Sequence, residues 1–168
     1  MALFLSCLSS LLVRNEYCQQ ASEKNGLTIV FELLVDPDQK PQIVKESLLL
    51  LKTLAGNDNV KNDIRASKGI GIIVDAVLKN IVSIFIFLLR NYKNFLIFFF
   101  KKPIVTNIIL QSNKGICYGG CTSIAAICLR TPDNAKTIME SGGAQLLIQI
   151  LKTHMSNGKI VVSTIYNY

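Results

Sequence analysis

The 168-residue sequence is poor in the residues that catalytic and metal sites require. It contains a single histidine, His154, so a paired cysteine–histidine nucleophile has only one candidate base and no local signature to accompany it. The glycines of Gly69 to Gly71 lack the third glycine of a dinucleotide-binding loop, since Val74 stands in its place and no strand precedes them. We therefore expect a protein that is not an enzyme and that takes no cofactor and no small-molecule substrate.

The alternation of apolar and polar residues that marks β-strands is almost absent, whereas helical periodicity is widespread. Between Pro41 and Gly56, apolar residues recur at spacings of three and four, with proline at the start and glycine at the end. The segment NAKTIMESGG predicts a short helix that ends at Gly142 or Gly143, and AQLLIQILKTH predicts a second helix directly after it. The fold class predicted is all-α.

Acidic residues are missing from Ala76 through Pro132, and this gap accounts for much of the basic charge. The formal net charge is +7, and four of the basic residues lie in the apolar block from Val82 to Gln111, which has no acidic residue. Without this block the net charge of the chain falls to +3. The remaining charges are mixed in sign along the chain, as on solvated helix faces. We expect no nucleic-acid partner, since no known reading element accompanies the charge.

The cysteines are odd in number, and no basic residue precedes the apolar N-terminal stretch that could otherwise suggest a secretory signal. The five are Cys7, Cys18, Cys117, Cys121 and Cys128. They predict reduced thiols and a cytoplasmic location, with the nucleus as the alternative compartment. The last three would share one stripe of a helix, which suits either core packing or a thiol enzyme or metal protein. Packing is favoured, because zinc requires four ligands at tighter spacings.

A repeat becomes visible when the glycines are aligned. Gly26 and Gly69 lie 43 residues apart with matching apolar residues around them, and CLRTPDNAKTIMESGGAQLLIQIL forms a third copy in which Gly143 takes the same place. Asp58, Asn59 and Pro132 with Asp133 should provide the turns and caps that begin the short helices. Helical periods in the low forties belong to the HEAT and armadillo class of solenoid.

The segments LLKTLAGNDNVK, GIGIIVDAVL and AICLRTPDNAKTIMESGGAQLLIQ resemble the armadillo repeat, over about residues 8 to 80 and 112 to 161. The resemblance implies a helical-repeat solenoid of about three incomplete repeats, interrupted by an apolar insertion. It also implies a protein–protein interaction scaffold whose concave face is lined by the third helix of each repeat. The candidate concave-face positions are Leu49 and Thr53 in one repeat and Ile124 and Cys128 in another. Groove-binding relatives carry tryptophan and asparagine there, so the nuclear-import type of peptide clamp is not expected.

The repeat also predicts a hydrophobic core and a division of the chain. We expect buried side chains at Leu33, Leu48, Leu51, Leu54, Ile64, Ile73, Val77, Ile127, Ile138, Leu147 and Ile150. The predicted segments are armadillo-like repeats over residues 1–80, an apolar insertion over 81–111, a further repeat over 112–161 and a non-native tail over 162–168.

Three interpretations of the insertion remain open: a membrane anchor through residues 81–100, a functional loop, and translated intron sequence. Arg90 and Lys93 interrupt the apolar run and disfavour a membrane span. A functional surface loop would normally be polar, whereas six of the eight phenylalanines lie between Phe85 and Phe100. Codons for Val82-Ser83 and Leu110-Gln111 can form intron donor and acceptor sequences, and Val162-Ser163 can form a second donor. We therefore predict retained introns at both places and no membrane partner.

Overall fold

The computed structural model describes the backbone of residues 1–91 and 113–165 and the side chains of residues 1–80 and 113–163. These ranges contain only helices as regular structure. The helices are α1 (Ala2–Leu11), α2 (Asn15–Glu23), α3 (Gly26–Val35), α4 (Pro41–Leu54), α5 (Asp58–Ala66), α6 (Gly69–Asn91), α7 (Lys114–Cys128), α8 (Pro132–Glu140), α9 (Gly143–Thr153) and α10 (Gly158–Ile165).

The helices repeat in groups of three. Unit 1 consists of α2, α3 and α4, unit 2 of α5, α6 and α7, and unit 3 of α8, α9 and α10, while α1 has the place of a third helix before unit 1. The third helices α1, α4, α7 and α10 pack side by side in that order. This arrangement confirms the predicted all-α helical repeat.

Each unit turns from its first to its second helix through one residue in the left-handed conformation. That residue is Asn25, Lys68 or Gly142, with φ of 61°, 57° and 77°, and it lies one position before the aligned glycine. The aligned glycines begin the second helices and are needed because the backbone approaches closely. A Cβ on Gly69, for example, would lie 2.9 Å from the carbonyl oxygen of Ile64.

The cap of α5 lies one residue earlier than predicted. The side chain of Asn57, rather than that of Asp58 or Asn59, accepts hydrogen bonds from the backbone nitrogens of Asn59 at 2.9 Å and Val60 at 3.2 Å. A cap of this kind stabilises a helix by about 1 kcal/mol. Pro132 is at the start of α8, as expected, where its missing N–H is not required.

The predicted core is confirmed at ten of its eleven positions. Those buried are Leu48, Leu51, Leu54, Ile64, Ile73, Val77, Ile127, Ile138, Leu147 and Ile150. Leu33 is only partly buried, and its neighbour Leu34 is 2% exposed instead. The reason is the register of α3, whose buried stripe passes through Leu27, Val30, Phe31 and Leu34 at helical spacing.

Units 1 and 2 are linked at each of their three helical layers. The hydroxyl of Ser22 in α2 donates to a carboxylate oxygen of Asp63 in α5 at 2.8 Å. Between the second helices, the ammonium of Lys79 donates to the carbonyl of Val35 at 3.3 Å. Between the third helices, Gly119 packs directly on Leu48.

The predicted insertion lies partly outside the described residues. Helix α6 continues through residues 81–91, and residues 92–111 lie outside the described residues. The predicted non-native tail begins within helix α10, which ends at Ile165. Retained introns at these two places stay a prediction. Within residues 1–91 and 113–165, no helix has the length and apolar character needed to cross a membrane.

Candidate functional site

The third helices α4 and α7 share one side that is less buried than the rest of each helix. On α4 this side carries Gln42, Lys45, Leu49, Lys52 and Thr53, and on α7 it carries Gly115, Tyr118, Thr122, Ala125 and Ala126; all are exposed or half-buried except Thr122, which is buried. We call these ten residues the third-helix face. The opposite sides of α4 and α7 are buried in the core, so each helix has a clear inside and outside.

Small residues on α7 bring it close to its neighbours. A Cβ on Gly115 would lie 2.9 Å from the side-chain Cδ of Lys45, and one on Gly119 would lie 3.1 Å from the Cβ of Leu48. Gly120 faces the core, where a Cβ would come within 2.6 Å of a methyl group of Val77. The glycines therefore allow a close approach of helices that larger side chains would hold apart.

A groove of about 410 Å³ runs along this face between α4, α7 and α10. It is lined by Lys52, Thr122, Ala125, Ala126, Leu129, Val162 and Ser163. The lining is small and mostly apolar, with one ammonium group at its edge. Such a surface suits apolar and backbone contacts with a protein segment, and it holds no pair of groups positioned for proton transfer.

The four predicted concave-face residues do not all lie in the same environment. Leu49 and Thr53 are half-buried on the third-helix face, and Cys128 is half-buried at the end of α7. Ile124 is 1% exposed and lies in the core. The pattern of buried positions in α4 recurs in α7 when the two helices are aligned with an offset of 73 residues, so that Leu51 corresponds to Ile124. The residues of α7 that correspond to Leu49 and Thr53 are therefore Thr122 and Ala126.

Polar contacts hold the face in place. Glu46, only 9% exposed, accepts hydrogen bonds from the amide of Gln42 at 2.7 Å and the ammonium of Lys45 at 3.2 Å. The hydroxyls of Thr53 and Ser9 lie 2.8 Å apart and join α4 to α1. The sequence gives only one hint of the Glu46 contact, the four-residue spacing to Gln42.

A buried lysine ties the first helix of unit 2 to the end of its third helix. Lys61 is 2% exposed, and its Nζ donates to the Leu129 carbonyl at 2.8 Å and to Asp58 at 2.7 Å. The ammonium holds the pKa of the Asp58 carboxyl below its usual range. The positive charge also lies at the negative end of α7, where it is favourable. Sequence periodicity alone did not single out this residue.

The cysteine stripe is directed into the protein. Cys117 and Cys121 are fully buried, and burial together with the neighbouring Cys121 raises the pKa of Cys117 to about 12. Burial raises the pKa of Cys128 to about 11 and also raises that of Cys18. These thiols stay protonated near neutral pH, which disfavours a nucleophilic or metal-binding role because both need the thiolate. Among the described residues, no group of three or more histidine, cysteine or acidic side chains is arranged around a metal site.

The repeated three-helix units and the stacked third helices define a protein of the armadillo class. Comparison with curated proteins agrees with this, because the chain is similar to armadillo repeat-containing protein 6 of Pongo abelii, at 30% identity over 137 residues, and of Homo sapiens, at 30% over 139 residues. These alignments cover 77% and 78% of this chain but 21% and 22% of the relatives. The chain belongs to the armadillo-repeat family.

A third relative matches over a shorter stretch of the chain. The armadillo repeat-containing protein 6 homolog of Drosophila melanogaster is 35% identical over 75 residues, which is 45% of this chain and 16% of that protein. No protein-family model and no solved structure matches the chain. The chain thus spans about a fifth of the length of the two mammalian relatives.

Proposed function

We propose that the chain is a noncatalytic scaffold that binds an extended segment of a partner protein along the third-helix face. The observation that carries the proposal is the wall of the groove formed by α4 and α7, which is mostly small and apolar, has Lys52 at its edge and does not depend on the predicted non-native tail over 162–168. An extended segment would run across the successive third helices and contact each of them. Membership of the armadillo family supports a protein partner.

The chemistry of the face favours a mode of binding without an asparagine ladder. Leu49, Thr53, Thr122 and Ala126 occupy the corresponding positions and carry no side-chain amide that could hold a peptide backbone. Apolar contact and the Lys52 ammonium remain as the sources of affinity. We expect a partner segment with apolar side chains and an acidic residue, bound in the cytoplasm or the nucleus.

Filling the groove tests this function. Ala126→Arg places a long charged side chain where a small one lines the groove, and Lys52→Glu reverses the charge at its edge. Asp75→Lys on α6 is the matched control, since Asp75 is exposed on a second helix away from the face. Partners isolated with the parent chain should be lost at least about tenfold with either groove variant and kept with the control. Equal retention by all three variants would contradict the proposal.

A further inference from the structure

An apolar cavity of about 510 Å³ lies between the second helices of units 1 and 2. Phe31, Val35 and Pro37 line it from unit 1, and Ile72 lines it from unit 2. Val35 is 58% exposed, so its side chain can be covered by a partner. The volume of the cavity lies within the range of about 300–1,000 Å³ that is usual for binding pockets.

A second cavity adjoins the first between the first helices α2 and α5. It has a volume of about 410 Å³ and a polar lining, and it shares Thr28 and Ser67 with the apolar cavity. We call the two cavities together the inter-unit cleft. Of the described residues of the third helices, none lines either cavity. The cleft is therefore a different surface from the third-helix face, and an inference about it does not rest on the proposed function.

The inter-unit cleft is acidic although the chain has a formal net charge of +7. Glu23 and Asp63 line its polar part and Glu32 and Asp36 its apolar part, whereas none of the described lysines and arginines lines either part. Within residues 1–80 and 113–163, none of these four carboxylates forms an ion pair, while four acidic residues outside the cleft do. The cleft thus offers unpaired negative charge to a basic partner.

The polar part of the cleft also contains acceptors that have few donors. Asp63 is half-buried, and the Ser22 hydroxyl donates to one of its two carboxylate oxygens at 2.8 Å. In the described part of the chain, the amide oxygen of Gln19 is buried and has no hydrogen-bond donor. An ammonium group carries three donors and a guanidinium group five, and neither accepts a hydrogen bond. The side chain of a lysine or an arginine therefore matches this part of the cleft.

We infer that the inter-unit cleft binds a segment of a partner protein that carries apolar side chains together with lysine or arginine. The apolar side chains of this segment fill the part between α3 and α6. Its basic side chains pair with the carboxylates of Glu32 and Asp36 beside them and with Asp63 and Glu23 further along the cleft. Because Lys52 at the third-helix face favours an acidic segment, the two surfaces select different segments, and the scaffold holds two partners at once.

Other classes of occupant fit the cleft less well. Among the described residues, no group of three or more histidine, cysteine or acidic side chains is arranged to hold a metal ion, because the carboxylates are spread along the cleft. A nucleic acid would be repelled by the same carboxylates. An uncharged apolar segment would leave the negative charges unpaired.

Labelled peptides test the inference. The probe is a short amphipathic peptide of leucine and lysine that carries a fluorescent label, and its binding to the full chain is measured by fluorescence anisotropy. One control peptide has glutamate in place of every lysine, and a second has serine in place of every leucine. We expect each control peptide to bind at least about tenfold more weakly, because each lacks one of the two properties that the cleft recognises.

Two variants locate the binding at the cleft. Thr28→Arg places a cation at a residue that both parts share, and Glu32→Lys reverses one of the charges. Ile29→Arg and Glu16→Lys are the matched controls, since each makes the same change of charge at an exposed residue that lines neither part. Thr28 and Glu32 are also exposed, so all four chains should stay folded, which circular dichroism checks. Affinity for the leucine–lysine peptide should fall at least about tenfold in the first two chains and stay unchanged in the controls.

Three outcomes would overturn the inference. The first is a leucine–lysine peptide that does not bind, or that binds the parent chain, Thr28→Arg and Glu32→Lys equally well. The second is loss of this peptide in Ala126→Arg, because the peptide would then bind at the third-helix face. The third is a dimer of the chain that sedimentation detects and Glu32→Lys abolishes, since a second copy would then occupy the cleft. Binding that is lost in the cleft variants and kept in Ala126→Arg supports the inference whether or not the proposed function holds.

Discussion

Units 1 and 2 have the same three-helix plan but build it from different chemistry. The third helix of unit 1 fills the core with Leu48, Leu51 and Leu54, while that of unit 2 uses glycine, cysteine and serine with only a few large side chains. The fourth residue of the first helix is Cys18 in unit 1 and Lys61 in unit 2. The Lys61 ammonium donates to the Leu129 carbonyl at the end of its own third helix at 2.8 Å, whereas the single thiol hydrogen of Cys18 is shared between the Leu12 carbonyl at 3.1 Å and the Thr53 carbonyl of α4 at 3.6 Å.

The difference teaches that neighbouring repeats are complementary rather than identical. Large side chains on α4 lie against small ones on α7, so the two helices pack closely. The same position can hold a weak thiol donor or a buried ammonium, provided that the carbonyl it faces is satisfied. The period is kept, while the types and sizes of the residues vary.

The largest effect should come from removing a large side chain from α4. Leu51→Ala deletes a side chain that is fully buried, and the cavity it leaves should lower the free energy of unfolding by about 3 kcal/mol. Leu49→Ala, two residues away on the third-helix face, should cost less than about 1 kcal/mol. Urea unfolding followed by circular dichroism measures both, and equal losses would contradict the assigned register of α4.

The next largest effect should come from enlarging a small residue on α7. Gly120→Ala places a Cβ within 2.6 Å of a Val77 methyl group, and we expect a loss of about 1–2 kcal/mol in the free energy of unfolding. Gly71→Ala is the control, because no atom outside its own helix lies within 4 Å of the new Cβ. That change should stabilise the protein by a few tenths of a kcal/mol to about 1 kcal/mol. Thermal unfolding distinguishes the two, and the reverse order would refute the close packing of α6 and α7.

The side-chain donors on the first helices, Lys61 and Cys18, should contribute different amounts to the free energy of unfolding. Lys61→Met keeps the apolar stem but leaves the Leu129 carbonyl without its charged donor, and we expect a loss of about 1–2 kcal/mol. Cys18→Ser keeps a donor in unit 1 and should cost less. Unfolding in urea at neutral pH provides the comparison. If Lys61→Met is as stable as the parent chain, the hydrogen bond only offsets the cost of burying the ammonium.

The smallest effect should be on the pH dependence of stability. Since Lys61 lowers the pKa of Asp58 in the folded protein, the carboxylate contributes stability that is fully present above its unfolded pKa of about 4 and is lost as the pH falls through the folded value. The contribution is small because the carboxylate is exposed to solvent. Unit 1 has Asn15 at this place, which does not titrate. Asp58→Asn should therefore flatten the decline in stability between about pH 5 and pH 3; a decline unchanged by this substitution would show that other acids cause it.

The sequence predicts the units better than it predicts the face. The 43-residue period and the aligned glycines locate the second helices, because each glycine is required by a close backbone approach that every unit repeats. The register of α7 was less predictable, because glycine, cysteine, serine and alanine alternate there without a marked apolar stripe. Ile124 was consequently expected on the concave face but lies in the core. The burial of Lys61 depends on a carbonyl 68 residues later in the chain, and no local pattern signals a contact over that distance.

The links between units 1 and 2 have a mechanical consequence. Ser22 with Asp63, Lys79 with Val35 and Gly119 with Leu48 join the units at three contacts, one in each layer of helices. A tilt of one unit against the other about the contact in one layer strains the contacts in the other two layers. The two units should therefore move together as one stiff block, and bending of the solenoid should concentrate where fewer than three layers are joined.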